Sequence, residues 1–181
     1  MSLDQTKTQS SIATELFDLR PVRVSDKGLL SYYASDKRVA LMTSRIPHPM
    51  PPGAIDAFIA QACCSDREEI VWVMDGLRTG LPECMGLISL KILDRGQSEI
   101  GYWVGPPHWN SGVARAAVKA LLESNPLRNC TIFANVFQDN PASARVLTNA
   151  GFEYIGDAES FSVARNANVQ TWTYLRKMGS T

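Results

Sequence analysis

The sequence predicts a single α/β domain of the α+β kind, with one mixed, mostly antiparallel sheet of about seven strands flanked by helices. Three observations predict it. In the first half, apolar runs of strand length follow one another across short glycine-bearing links, which is how antiparallel hairpins read. In the second half, strands alternate with helix-period segments, the pattern of crossover units. The length of 181 residues, with 45% hydrophobic and 20% charged residues, suits one folded domain and excludes a disordered chain, a collagen-like repeat or a small disulfide scaffold.

The elements follow in order. Residues 1–13 are rich in Ser, Thr and Gln and read as a mobile tail, leaving 14–181 as the domain. From Leu16 the run Leu-Phe-Asp-Leu-Arg-Pro-Val-Arg-Val alternates as a first strand, and Pro21 places it at an edge or a bulge. Ser25-Asp26 caps a short helix to about Ser35. A Pro-rich loop, Ile46 to Gly53, precedes a helix marked by Ile55, Phe58, Ile59 and Ala62. Strands Ile70–Met74, Met85–Leu93 and Ser98–Val104 end at Asp75-Gly76, Asp94-Arg95-Gly96 and Gly105-Pro106-Pro107. Then come a helix (about 112–124), the strand Thr131–Val136, a helix (about 141–150), and the strands Phe152–Ser160 and Val169–Arg176. No internal repeat is visible.

Charge and composition narrow the function. Eighteen Lys and Arg balance eighteen Asp and Glu, so the chain lacks the broad positive field that non-specific nucleic-acid binding needs. The polar start is neither a signal peptide nor a membrane anchor, and no run approaches the ~18 apolar residues of a spanning helix. Cys63, Cys64, Cys84 and Cys130 form no C-x-x-C pair and read as small buried side chains with free thiols, which suits a reducing cytoplasm. His48 and His108 lack ligand spacing, so no metal is expected.

The stretch from Trp103 to Leu122 is the most informative. A strand runs through a turn into a helix whose core row is Val113, Ala117 and Leu121 and whose solvated row is Arg115, Lys119 and Glu123. The turn residues Asn110, Ser111 and Gly112 are small, Ala114 follows in the first helical turn, and Asn tolerates positive φ. Small residues let a ligand approach the backbone, and the free amides and dipole of a helix start attract an anion such as a pyrophosphate. The chain has no Gly-Lys-Ser/Thr of a P-loop. It also lacks the acid that a dinucleotide fingerprint requires ~20 residues on. In the second helix of this half, Asn140 reads as the N-cap, Pro141 as the first helical residue and Gly151 as the left-handed stop.

Glu99-Ile-Gly-Tyr-Trp-Val104, Trp109-Asn-Ser-Gly-Val-Ala114 and Asn140-Pro-Ala-Ser-Ala-Arg-Val-Leu-Thr-Asn-Ala-Gly-Phe152 together resemble the GCN5-related N-acetyltransferase (GNAT) superfamily, in its RimJ/RimL branch of ribosomal-protein N-terminal acetyltransferases. The likeness covers nearly all the chain. It departs at Trp109, where the family's loop usually begins with Arg or Gln, and at Asn110 and Ser111, where Gly and a basic residue are common.

The resemblance implies direct transfer of an acetyl group from acetyl-CoA to a primary amine, either a peptide N-terminus or a small molecule. It implies Glu99 as general base and Ser143 as the hydroxyl near the departing sulfur, with Tyr102 a rival of opposite strand parity. It places the donor along Trp103 and Val104, with Trp109, Asn110, Ser111, Gly112, Val113 and Ala114 at its diphosphate and Asn140 on its pantetheine arm. Tyr32, Tyr33, the Ile46–Gly53 loop and the helix after it are expected around the acceptor, with His48 read as a partly exposed loop residue rather than a substrate contact, and strand edges admit a homodimer. The alternative is a non-catalytic acyl-CoA-binding regulatory module on the same fold.

Overall fold

The structure, a computed structural model, describes residues 9–179. Eight strands form one sheet: β1 (Ile12–Ala13), β2 (Asp18–Pro21), β3 (Glu69–Asp75), β4 (Gly86–Ile92), β5 (Gln97–Val104), β6 (Thr131–Phe137), β7 (Glu153–Ser162) and β8 (Ala167–Lys177). Their spatial order is β1-β2-β3-β4-β5-β6-β8-β7. Every neighbouring pair is antiparallel except β5–β6, which is parallel. Five helices flank the sheet: α1 (Lys27–Ala34), α2 (Lys37–Ala40), α3 (Ala54–Ala62), α4 (Val113–Ser124) and α5 (Pro141–Asn149).

Strand alternation divides the sheet into two apolar faces. On one, Ile100, Val104, Ile88 and Ile132 pack against Val113, Ala117 and Leu121 of α4 and Ala144 and Leu147 of α5. On the other, Val71, Val73 and Leu87 pack against Leu30 of α1 and Ile59 and Ala62 of α3. The buried row of α4 is the one the helical period marks, because only that face of the helix can leave water, while α5 buries Ala144 and Leu147 and leaves Val146 and Ala150 half-buried.

Three local readings are corrected. The expected tail is shorter, since Ile12 and Ala13 pair with Leu19 and Asp18 of β2 and the Trp72 indole donates to the Ser10 carbonyl at 3.2 Å. Residues 1–8 lie outside the described residues. The short α2 was not marked by any apolar period, being one turn capped by Asp36, which accepts from the Arg38 N–H at 2.9 Å. Of the cysteines only Cys84 is buried, while Cys63 and Cys130 are exposed, because they occupy the end of α3 and the turn before β6 rather than a core row.

Asp26 does not cap α1 with its side chain. Its carboxylate instead accepts a two-pronged bond from buried Arg20 of β2, at 2.7 and 2.9 Å, and the Arg23 N–H at 2.7 Å. Arg20 Nε also donates to Asp75 of β3. This buried triad fixes the start of α1 against the sheet edge.

Candidate active site

The site begins where the sheet opens. β5 and β6 pair only over three positions, Gln97↔Thr131, Ser98↔Ile132 and Glu99↔Phe133. Beyond these, β5 stays on β4 as far as Val104 and β6 stays on β8 as far as Phe137. The two strands therefore part.

Register decides which backbone groups face the gap. The β4–β5 ladder continues past its ends as Gly105 N–H to the Met85 carbonyl (2.8 Å) and Leu93 N–H to the Gln97 carbonyl (2.9 Å). In an antiparallel pair the bonding residues alternate, so odd-numbered Glu99, Gly101 and Trp103 spend their amides on β4. Tyr102 and Val104 turn theirs toward the gap. The same reasoning from Gln138 N–H to the Gln170 carbonyl (3.0 Å) leaves the Asn135 amide of β6 facing β5. The edge facing the gap thus carries the Tyr102 donor and acceptor and the Val104 donor, not those of Trp103.

A cavity of about 780 Å³ occupies the parting and reaches both sheet faces, with Glu99, Gly101 and Trp103 on one side and Tyr102, Ser143 and Leu147 on the other. Glu99 and Ser143 therefore lie on opposite faces and still open on one space. Over the Glu99 face, Ile46, Pro47, Met50, Ile55 and Phe58 form an apolar roof.

Past the end of β5 and a short turn comes the start of α4; like Val104, residues Trp109 to Ala114 are not among those lining the cavity. Gly112 holds φ 80° and Asn110 φ 56°, the left-handed region. Among the described residues, the N–H groups from Asn110 to Ala114 donate to no protein group. They form the amide cluster an anion binds, with α4 adding its dipole. The Ser111 hydroxyl donates to the His108 carbonyl. Trp109 does not line the large cavity; its indole N–H donates to the Val104 carbonyl at 2.6 Å, and Arg38 stacks 5.3 Å from its ring centre.

The two hydroxyls weighed as rivals form one pair. Ser143 Oγ donates to the Tyr102 hydroxyl at 2.9 Å, and that hydroxyl donates to the Ser143 carbonyl at 3.0 Å. Burial pushes the Tyr102 phenol up to about 12, with the Ser143 bond acting the other way. Asn140 caps α5 through its side-chain oxygen, which accepts from the Ser143 N–H at 3.3 Å. The cap thus holds Ser143 in the first turn, against the parting.

On the opposite face Glu99 accepts from Asn135 Nδ2 at 3.3 Å, and Asn135 in turn accepts from Thr173. Glu99 stands directly across from Lys91, which stands across from Glu69. Glu69 takes both end nitrogens of Arg45, at 2.6 and 2.7 Å, and the Ser89 hydroxyl at 2.6 Å. Burial alone would push the Glu69 carboxyl up, but the Arg45 and Ser89 bonds outweigh it and hold it below its ordinary value. Sequence reading missed Arg45, Glu69 and Asn135. Asn135 carried a signal, a polar side chain inside an apolar strand; Arg45 and Glu69 carried none, since 24 residues separate them and only the folded loop brings them together.

Other expectations move. Tyr32 and Tyr33 do not line the large cavity. Tyr33 is buried beneath Gly105, where a Cβ would meet its ring at 2.8 Å, and Tyr32 faces a groove with Arg38, Pro106 and Pro107. They lie in the last turns of α1, where the Tyr33 hydroxyl is 3.3 Å from His108 Nε2 ahead of the α4 turn. His48 is a half-buried loop residue outside the cavity lining, as expected, while its loop neighbours Ile46, Pro47 and Met50 line it.

A sheet that parts at its parallel junction, with free amides at the helix start beyond β5 and ionisable side chains lining the cavity, has the form of a group-transfer enzyme. The profile of the Acetyltransferase (GNAT) domain matches residues 17–153, and the chain belongs to this family of acetyl-CoA-dependent acyltransferases. An uncharacterised N-acetyltransferase p20 of Bacillus licheniformis is 24% identical over 179 residues, covering 91% of this chain and 94% of that protein. Among solved structures, RimL, a ribosomal L7/L12 alpha-N-protein acetyltransferase in complex with coenzyme A, superposes with TM-score 0.80 at 15% identity, covering 93% of this chain and 98% of that one. Spermidine N-acetyltransferase of Vibrio cholerae, in complex with CoA and spermine, gives TM-score 0.76 at 16% identity, covering 91% and 97%. The expected fold and enzyme class are borne out.

Proposed function

We propose that this protein transfers the acetyl group of acetyl-CoA directly to a primary amine, with Glu99 drawing off the amine's proton through water. The observation that carries this reading is the parting of β5 from β6, which leaves the Tyr102 amide unspent beside a cavity open to both faces and the Val104 amide just past its lining. When bound, acetyl-CoA supplies an activated acyl carbonyl and a thiolate leaving group. The amides from Asn110 to Ala114 hold its diphosphate and the Val104 strand its arm. A Tyr102 or Val104 N–H is placed to stabilise charge on a carbonyl oxygen in the gap. The Ser143–Tyr102 pair offers the proton that a departing sulfur needs. An α-amine titrates near ~7.7–8, so part of it is already neutral near that pH, and the proton it sheds as the acyl bond forms is the one drawn off through water.

Two measurements test the reading. Acetyl-CoA at ~100 times its Kd should add ~2.7 kcal/mol of stability and raise the melting midpoint, while NAD and ATP should not. A panel of amines and N-terminal peptides, followed by free thiol release, should reveal turnover that Glu99→Gln lowers ~10²–10⁴-fold. Unimpaired turnover by Glu99→Gln would remove Glu99 as base. Binding of acetyl-CoA without acceptor-dependent turnover would favour the regulatory module instead. That second reading has one observation in its favour, the Trp109 indole already bonded to the Val104 carbonyl.

A further inference from the structure

Resting on that acetyltransferase reading, we infer that the acceptor is an amino acid, its α-amine at Glu99 and its carboxylate on the unspent edge of Arg45. The cavity's charges are the first argument. Arg45, Arg67 and Lys91 balance Glu68, Glu69 and Glu99. A polyamine would be served by a surplus of carboxylates, whereas a balanced floor with its charges set apart matches a zwitterion.

The second argument is the state of Arg45. A guanidinium carries five N–H donors in a fixed fork. Glu69 takes only one from each end nitrogen, and Ser89 fixes Glu69 from below. Among the described residues Arg45 Nε has no partner. Its side chain is 69% exposed, and it lines the cavity. The Nε edge therefore remains for a second carboxylate, with Glu69 serving to orient the fork. A residue needed only to fasten the loop would not require a buttressed partner with an edge left over.

The third argument is spacing. Glu69, Lys91 and Glu99 stand on adjacent strands in one row, so Glu69 and Glu99 are two strand spacings apart, roughly 10 Å. With Arg45 bonded to Glu69 at one end of this row and Glu99 at the other, that spacing is of the order of a small zwitterion with a bridging water, Lys91 flanking it, and the lining residues Ile46, Met50, Ile55 and Phe58 accommodate its side chain.

The test compares the standard amino acids, each as free acid and as α-carboxamide, by calorimetric titration into the CoA-loaded protein. This binding readout needs no turnover, so it stands apart from the acetyl-transfer assay; a protein that binds acids selectively without acetylating them would fail the catalytic reading while upholding this one. We expect at least one amino acid to bind about 10–100-fold more tightly as acid than as amide, the loss typical of one charge-assisted fork bond. Arg45→Gln should erase that preference, so that the acid and the amide of the same amino acid bind alike. Arg45→Lys should restore only part, since an ammonium lacks the fork. Equal affinity for acid and amide in the unmodified protein, or no binding of either form across the set, overturns the inference, and neither outcome depends on any variant folding.

Discussion

Tyr102→Phe removes one oxygen and keeps the ring that fills the parting. The structure assigns that oxygen two hydrogen bonds, one accepted from Ser143 Oγ at 2.9 Å and one donated to the Ser143 carbonyl at 3.0 Å. At ~0.5–1.5 kcal/mol net each, stability falls by about 1–3 kcal/mol. At ~2–4 °C per kcal/mol, a chain of this size stays folded at assay temperature. The effect on catalysis is larger. If the two hydroxyls act as a unit beside the leaving sulfur, Tyr102→Phe and Ser143→Ala each lower kcat by ~10²-fold, the lower end for a lost acid. The double variant then falls no further than the worse single, where independent groups would multiply to ~10⁴-fold. KM for acetyl-CoA should hold, because the backbone amides that grip the donor are untouched. Burial pushes the Tyr102 phenol up to about 12, so it stays protonated through the neutral range and adds no alkaline fall in kcat there. Steady-state kinetics on the four proteins, with melting curves alongside, decide the matter. Full kcat in Tyr102→Phe, or a multiplicative double variant, refutes the paired role.

Two further predictions concern stability. Arg20→Met leaves Asp26 and Asp75 facing one another without their cation; as Asp26 is fully enclosed, the cost should be ~3–5 kcal/mol, read as a lower urea midpoint at unchanged slope, and an unshifted midpoint would deny the triad its anchoring role. Glu69 binds fewer protons folded than unfolded, so its contribution is present above the ordinary carboxylate range and is lost as pH falls through its depressed folded value. Melting curves from pH 7 to about pH 3 should therefore show a shallower acid decline for Glu69→Gln than for the unmodified chain, and parallel declines would contradict the assignment.

The sequence by itself determined the helices and strands that carry strong periods. The core row of α4, the Asn140 cap, the positive φ at Asn110, and the opposite parities of Glu99 and Tyr102 all follow from local spacing and local sterics. These are short-range rules, and the chain obeys them whatever surrounds it. Only the tertiary structure decided how those pieces meet. That Tyr102 and Ser143, 41 residues apart, share one hydrogen-bonded pair depends on where β6 leaves β5. That Trp103 spends its backbone on β4 while Val104 faces the gap is a matter of register, which pairing across the whole sheet sets. Arg45 finds Glu69 only when the chain before the Pro-rich loop folds over β3, and Tyr33 stays out of the large cavity while Gly105 lets its ring pack close. Long-range partners are chosen by which faces remain to be buried, and no local pattern in the chain records that choice.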